Sequence, residues 1–216
     1  MKVGIIQSNY LPWLGYFEFI SKCDLFILLD SVQYTRRDWR NRNKIRTPRG
    51  DVWLTIPLKQ SGNFEAKINE MEISDPLWCK QHFDILRQAY RGAAHWKRYE
   101  DELEWAYIDT PSMLTDINSK FLALGCEWLK VPTPIRADTD FQAEGVKSDR
   151  LIALCKSAGA TRYLSGPSAK NYLDEKLFND NGIAVEWMQY SDWPKLSFLH
   201  GLFNGLDTSA LRSKAG

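Results

Sequence analysis

Histidine and cysteine are scarce in this 216-residue sequence, which has three and four of them. Cys23, Cys79, Cys126 and Cys155 lie far apart and form no C-x-x-C pair, so their spacing points to neither a zinc site nor a small disulfide scaffold. They read as reduced thiols. His82 falls on an apolar helical stripe and reads as a satisfied core histidine, while His95 and His200 have no partner at metal or triad spacing. No H-E-x-x-H, G-x-S-x-G or P-loop pattern occurs, so no metal, no cofactor and no standard nucleophile are expected. Excess charge is missing too: 28 Lys and Arg against 27 Asp and Glu leave a formal net charge of +1. That balance discourages a generally basic nucleic-acid or membrane binder. No apolar run is long enough to span a bilayer, and the first one is too short for a signal peptide, so a cytoplasmic location is expected.

What is present is ordinary globular composition, 44% hydrophobic and 25% charged, with a length sufficient for a proper core. Aromatic residues are the exception. Nine Trp, nine Tyr and ten Phe exceed what packing alone requires, and rings are also what a sugar or base stacks upon.

Residues 3–6 read as a buried strand, residues 24–30 as a second, and Trp13, Tyr16, Phe17 and Ile20 between them keep helical spacing, with Pro12 in the first-turn position. A strand–helix–strand unit this short implies a parallel sheet. Residues 52–58 and 68–73 alternate as short edge β structure. The middle is helical: one helix starts at Asp75-Pro76 and stops near Gly92, and another starts at Thr110-Pro111. From about 130 to 190 the rhythm is strand, helix, strand, helix, strand, with Gly159 and Gly182 as helix stops. The expected fold is α/β, a mainly parallel sheet with helices on both faces and a helical middle section. It forms one domain over residues 1–211, with a loose tail at 212–216.

In open parallel sheets ligands collect at the carboxyl ends of strands, which here selects residues 7–12, 30–44 and 165–168. Residues 36–46 pack six cations and Trp39 into eleven positions. Guanidinium forks bind phosphate or carboxylate bidentately, and amides read sugar hydroxyls, so the run is either an anionic-ligand site or a solvated basic loop. Asp30, ending an apolar strand, must pair, cap or act as a base, with Arg36 or Arg37 as its nearest expected ion-pair partners. Gly166-Pro167-Ser168 opens a helix and fits an anion or a plain serine cap equally well.

Three segments carry a resemblance: residues 7–17 (QSNYLPWLGYF), the run Asp30-x-x-Gln33-Tyr34-x-x-Arg37-x-Trp39-x-Asn41-Arg42-Asn43, and Tyr163-Leu164-Ser165-Gly166 with Tyr172-Leu173. Together they resemble the WbqC-like family over nearly the whole chain. The resemblance implies a setting in O-antigen and other surface-polysaccharide assembly, hence work on activated sugars. Two departures stand out: Ser8 replaces the family's usual proline, and the segment between Tyr190 and Leu196 is shorter than the family pattern. A fainter likeness in topology is to nucleotidylyltransferases, but Trp13-Leu14-Gly15-Tyr16 lacks both histidines of their H-x-G-H motif.

The expectation is a transferase acting on a nucleotide-linked or carrier-linked sugar, with acyl or aminoacyl transfer as the chemistry. Asp30 is the candidate base. The candidate substrate contacts are Gln7, Asn9, Tyr10, Trp13, Gln33, Arg36, Arg37, Trp39, Asn41, Arg42, Asn43, Lys44, Ser165 and Gly166. The expected partners are a phosphate-bearing sugar and an acyl or aminoacyl donor. A non-catalytic sugar-nucleotide or assembly-complex binding protein is the alternative, and a nucleic-acid module comes third.

Overall fold

The computed structural model describes residues 1–59, 65–108 and 111–211; the expected tail at 212–216 and the expected helix start at Thr110 lie outside the described residues. In chain order the elements are β1 (Lys2–Ile6), α1 (Leu14–Ser21), β2 (Leu25–Leu28), β3 (Arg42–Thr47), β4 (Gly50–Thr55), α2 (Trp78–Tyr90), α3 (Trp96–Ile108) and α4 (Leu114–Leu129). They continue with β5 (Ile135–Ala137), α5 (Lys147–Ser157), β6 (Arg162–Ser165), α6 (Glu175–Asp180), β7 (Ala184–Trp187) and α7 (Phe198–Phe203).

Five strands form a parallel sheet in the order β5-β2-β1-β6-β7. Alternate side chains on it serve two cores. Val3, Ile5, Ile27 and Tyr163 pack with Ile152, Leu154 and Phe178 from α5 and α6 on one face. Phe26, Leu28 and Leu164 face the other way, into a larger core built with α1, α2, α3, α4 and α7. Strands buried on both faces read as continuous apolar runs, which is why these segments are visible in the sequence. Helix α1 is buried along its whole length, and its approach to β1 requires a glycine, because a Cβ on Gly4 would run into the Phe19 ring and the Cys23 sulfur. Much of the aromatic excess is core: Tyr10, Trp78, Trp96, Phe121, Phe198 and Phe203 are fully buried. Each contributes roughly 1.5–3 kcal/mol by leaving water.

Several expectations are corrected. The basic run is only half a loop, since residues 42–47 form β3, which pairs antiparallel with β4 in a separate hairpin. Lys44 and Arg46 are compatible with a strand because one face of the hairpin is open to solvent. Residues 68–73 are not a strand; Ile68–Glu70 is a 3-10 turn flanked by single bridges from Leu58 to Ile73 and from Glu72 to Met113. The expected helix after Gly166 divides into a 3-10 turn, Pro167–Asn171, and α6, whose N-cap Asp174 accepts from the Leu177 N–H at 3.0 Å. Pro12 precedes the N-cap Trp13 instead of sitting in the first turn, and Asp30 lies two residues beyond β2. Helix α3 has no counterpart in the sequence reading. Among the described residues no helix is long and apolar enough to cross a membrane.

Candidate functional site

From β1 the chain winds outward through β2 and β5 to one side, and through β6 and β7 to the other. The connections leaving β1 and β6 therefore diverge, which opens a crevice at their carboxyl ends. Residues 7–12 leave β1 there, and Ser165 ends β6 beside it, followed by Gly166.

The loop at 7–12 is held in an uncommon shape. Leu11 is buried with φ +44°, a left-handed conformation that costs a non-glycine residue about 1–3 kcal/mol and persists only where its surroundings enforce it. They do. Asn43 donates from Nδ2 to the Leu11 carbonyl at 2.6 Å, and its own Oδ1 accepts from the Lys44 N–H at 2.7 Å. The Tyr10 N–H donates to the Trp39 carbonyl at 3.2 Å. Arg40, only 8% exposed, donates from Nη1 to the carbonyls of Gln7 and Ser8 and to Asn9 Oδ1, and from Nη2 to Asp38. Asn118 on α4 donates to both Ser8 Oγ and the Arg40 carbonyl, each at 2.9 Å. The hairpin and the β1 exit are thus one assembly.

Against it lies a cleft of about 250 Å³ lined by Asn9, Pro12, Trp13, Trp39, Asn43 and Lys195. The Lys195 ammonium stands 3.7 Å from the Trp13 ring centroid, and the Tyr190 ring packs on Trp13 at 5.2 Å. The Tyr190 hydroxyl is also 3.6 Å from the point where a Cβ on Gly166 would stand, which brings the β6 exit to the same place. The segment carrying Tyr190 and Lys195 is strapped down at both ends. Buried Glu18 accepts from the Ser191 N–H and hydroxyl and from Trp193 Nε1, at 3.0, 2.8 and 2.6 Å. Farther on, the N–H groups of Ser197 and Phe198 donate to the carbonyls of Lys44 and Pro12, both at 2.8 Å.

A second cleft, of about 530 Å³, is lined by Tyr34, Arg36, Arg37, Asn41, Arg42 and Thr55. A ring pair joins the two neighbourhoods: Trp39 packs on Trp53 at 5.5 Å, and the Arg42 guanidinium lies 4.3 Å over the same Trp53 ring. Lys44 Nζ lies 5.8 Å from it.

The structure divides the candidate residues between the two clefts and places the rest outside them. Asn9, Trp13, Trp39 and Asn43 line the first cleft; Arg36, Arg37, Asn41 and Arg42 line the second. Gln7, Lys44, Ser165 and Gly166 line neither cleft. Gln7 offers its carbonyl to Arg40 and to the Tyr16 hydroxyl, and Ser165 is buried. Gln33 is exposed and bridges to Lys67. Tyr10 is placed in the core, its hydroxyl bonded to Tyr107 at 2.5 Å and to His82 Nδ1 at 2.9 Å. The Asn41 amide is likewise engaged, by the Tyr34 hydroxyl and the Ile56 carbonyl.

Asp30 is 6% exposed and lines neither cleft. Its Oδ1 accepts from the Ser8 N–H at 2.9 Å, and its own N–H donates to Asp138. Burial pushes its pKa up; the Ser8 hydrogen bonds and Arg40 pull it back, and Asp138 adds to the rise. The cation whose field reaches Asp30 is therefore Arg40, where Arg36 or Arg37 was expected. Sequence reasoning also missed Lys195 and Asn118, which lie far from the motifs along the chain. For Arg40 the only available signal was its place in the basic run.

Among the described residues no group of three His, Cys, Asp or Glu side chains is placed to hold a metal ion. The family model described as WbqC-like protein family matches residues 7–205. The chain is 40% identical over 215 residues to "Uncharacterized protein Rv1507c" of Mycobacterium tuberculosis, a match covering 94% of this chain and 93% of that one. No solved structure matches.

Proposed function

We propose, from the premise that this chain belongs to the WbqC-like protein family, that it is a transferase acting on a nucleotide-linked or carrier-linked amino sugar in surface-polysaccharide assembly. The observation that carries this reading is the first cleft, whose lining combines the Trp13 and Trp39 rings and the Asn9 amide with the Lys195 ammonium seated over Trp13. A sugar presents apolar C–H faces to rings and hydroxyls to amides, and the cation suits its phosphate. Aromatic, amide and cationic groups at a strand-end crevice are what such a ligand needs together.

The reaction class is acyl or aminoacyl transfer. The sugar amine attacks the acyl carbonyl of an activated ester or thioester, a C–N bond forms, and the C–O or C–S bond to the carrier breaks. The amine gives up a proton, for which Asp30 is the proposed acceptor; a carboxyl pKa raised by burial is the direction a base near neutral pH requires. A non-catalytic sugar-nucleotide binder is the second reading, favoured by the absence of Asp30 from both cleft linings. Incubation with a nucleotide-linked amino sugar and an acyl donor, followed by mass spectrometry, tests the choice. A product heavier by the acyl group supports the transferase, and binding without a mass change supports the binder.

A further inference from the structure

The hairpin divides the basic run into tied and untied arginines. Arg40 and Arg46 are held by Asp38 and Asp51. Arg37 and Arg42, which line the second cleft together, pair with no carboxylate among the described residues. Arg42 is nevertheless fixed. Its guanidinium carbon lies 4.3 Å from the Trp53 ring centroid, its Nη2 donates to the Arg37 carbonyl, and its buried Nε has no hydrogen-bond partner. Arg37 stands at φ +58°, in the left-handed region uncommon for residues other than glycine.

We infer that the second cleft is a diphosphate site, distinct from the tryptophan-lined cleft, in which Arg37 and Arg42 each take one phosphoryl group. Two guanidinium groups without a carboxylate partner match two phosphoryl groups, Arg42 through the N–H groups that its bond to the Arg37 carbonyl leaves, and a guanidinium offers phosphate several directed N–H donors where an ammonium is a point charge. The exposed Thr55 hydroxyl adds a neutral donor at the rim. Diphosphate binding stands on this cleft alone. Only its link to a nucleotide-linked sugar rests on the function proposed above.

The test is calorimetric titration of inorganic diphosphate into the full-length chain without divalent metal. Wild type binds one equivalent, and orthophosphate binds at least about tenfold more weakly. Arg37→Ala, Arg42→Ala and Arg42→Lys each lose about tenfold or more, the equivalent of one charge-assisted hydrogen bond or more, while Lys176→Met, exposed on α6 and outside both clefts, stays within about twofold; Lys195→Met is titrated beside them. In the unmodified chain, diphosphate also protects Arg37 and Arg42 from phenylglyoxal, read by peptide mass, which removes any dependence on how the variants fold. Absent binding, unprotected arginines, or a loss confined to Lys195→Met overturns the site. Diphosphate binding without sugar turnover leaves this site standing and removes only the transferase; turnover without diphosphate binding does the reverse.

Discussion

Arg40 donates from Nη1 to the main-chain oxygen of Ser8 at 3.3 Å, so a side chain of the basic run holds the loop that leaves the first strand. The same nitrogen reaches the Gln7 carbonyl at 3.2 Å, and the buried Ser8 and Asn118 close around it. Truncation to alanine leaves these acceptors and Asp38 without their cation in a site water reaches poorly. Arg40→Ala is expected to cost about 2–4 kcal/mol in urea unfolding followed by circular dichroism. A loss under about 0.5 kcal/mol would mean that the loop holds its shape without Arg40.

His82 makes stability depend on pH. Burial lowers its pKa to about 4 from an ordinary 6.5, against a smaller opposing effect from a hydrogen bond to the Thr55 backbone. The unfolded chain therefore takes up this proton first. The neutral ring's contribution is intact above about pH 6.5 and is lost as pH falls toward 4, on the order of 3 kcal/mol in total. Asp30 acts with the opposite sign, because its raised pKa lets the folded state take up a proton first. Unfolding midpoints from pH 7.5 to 4.5 should fall in wild type and fall less in His82→Gln. Equal slopes in the two would contradict the assignment.

Asp30→Asn separates chemistry from architecture. An asparagine Oδ1 can still accept from the Ser8 N–H, so the loop and the cleft keep their form. As the proposed base, Asp30 should account for a loss of about a hundredfold or more in kcat, with sugar affinity within about twofold of wild type. Unchanged kcat would move Asp30 to a purely structural role.

What could be read from the sequence follows from how the signals arise. The strands around Ile5, Ile27 and Leu164 are buried on both faces, so they appear as apolar runs, and helix α1 shows its spacing through Tyr16, Phe17 and Ile20. Strand β3 was illegible because its inward positions are Asn43 and Ile45 between charged neighbours, and an amide that bonds a carbonyl looks like a loop residue. Helix α3 was hidden because its charged positions outnumber its buried Trp96, Tyr99 and Leu103. Six cations in one run cannot reveal which is buried. Only the fold selects Arg40 for the β1 exit and brings Lys195 to Trp13 from more than 180 positions away. Tyr10 illustrates the converse: a loop motif containing a polar ring suggested a ligand contact, yet its hydroxyl is satisfied by His82 and Tyr107 in the core.

The central claim is that the cleft between Trp13 and Trp39 receives a phosphate-bearing sugar. Its most direct test is calorimetric titration of a nucleotide-linked amino sugar into wild type, Trp13→Ala and Lys195→Met, with thermal melts alongside. The account predicts saturable binding by wild type and a loss of about tenfold or more in each variant, consistent with roughly 1.5–3 kcal/mol for a charge-assisted contact. Lys195 is exposed, so the melting temperature of Lys195→Met should match wild type. Wild-type affinity in both variants, or no saturable binding by the wild-type chain, would contradict it.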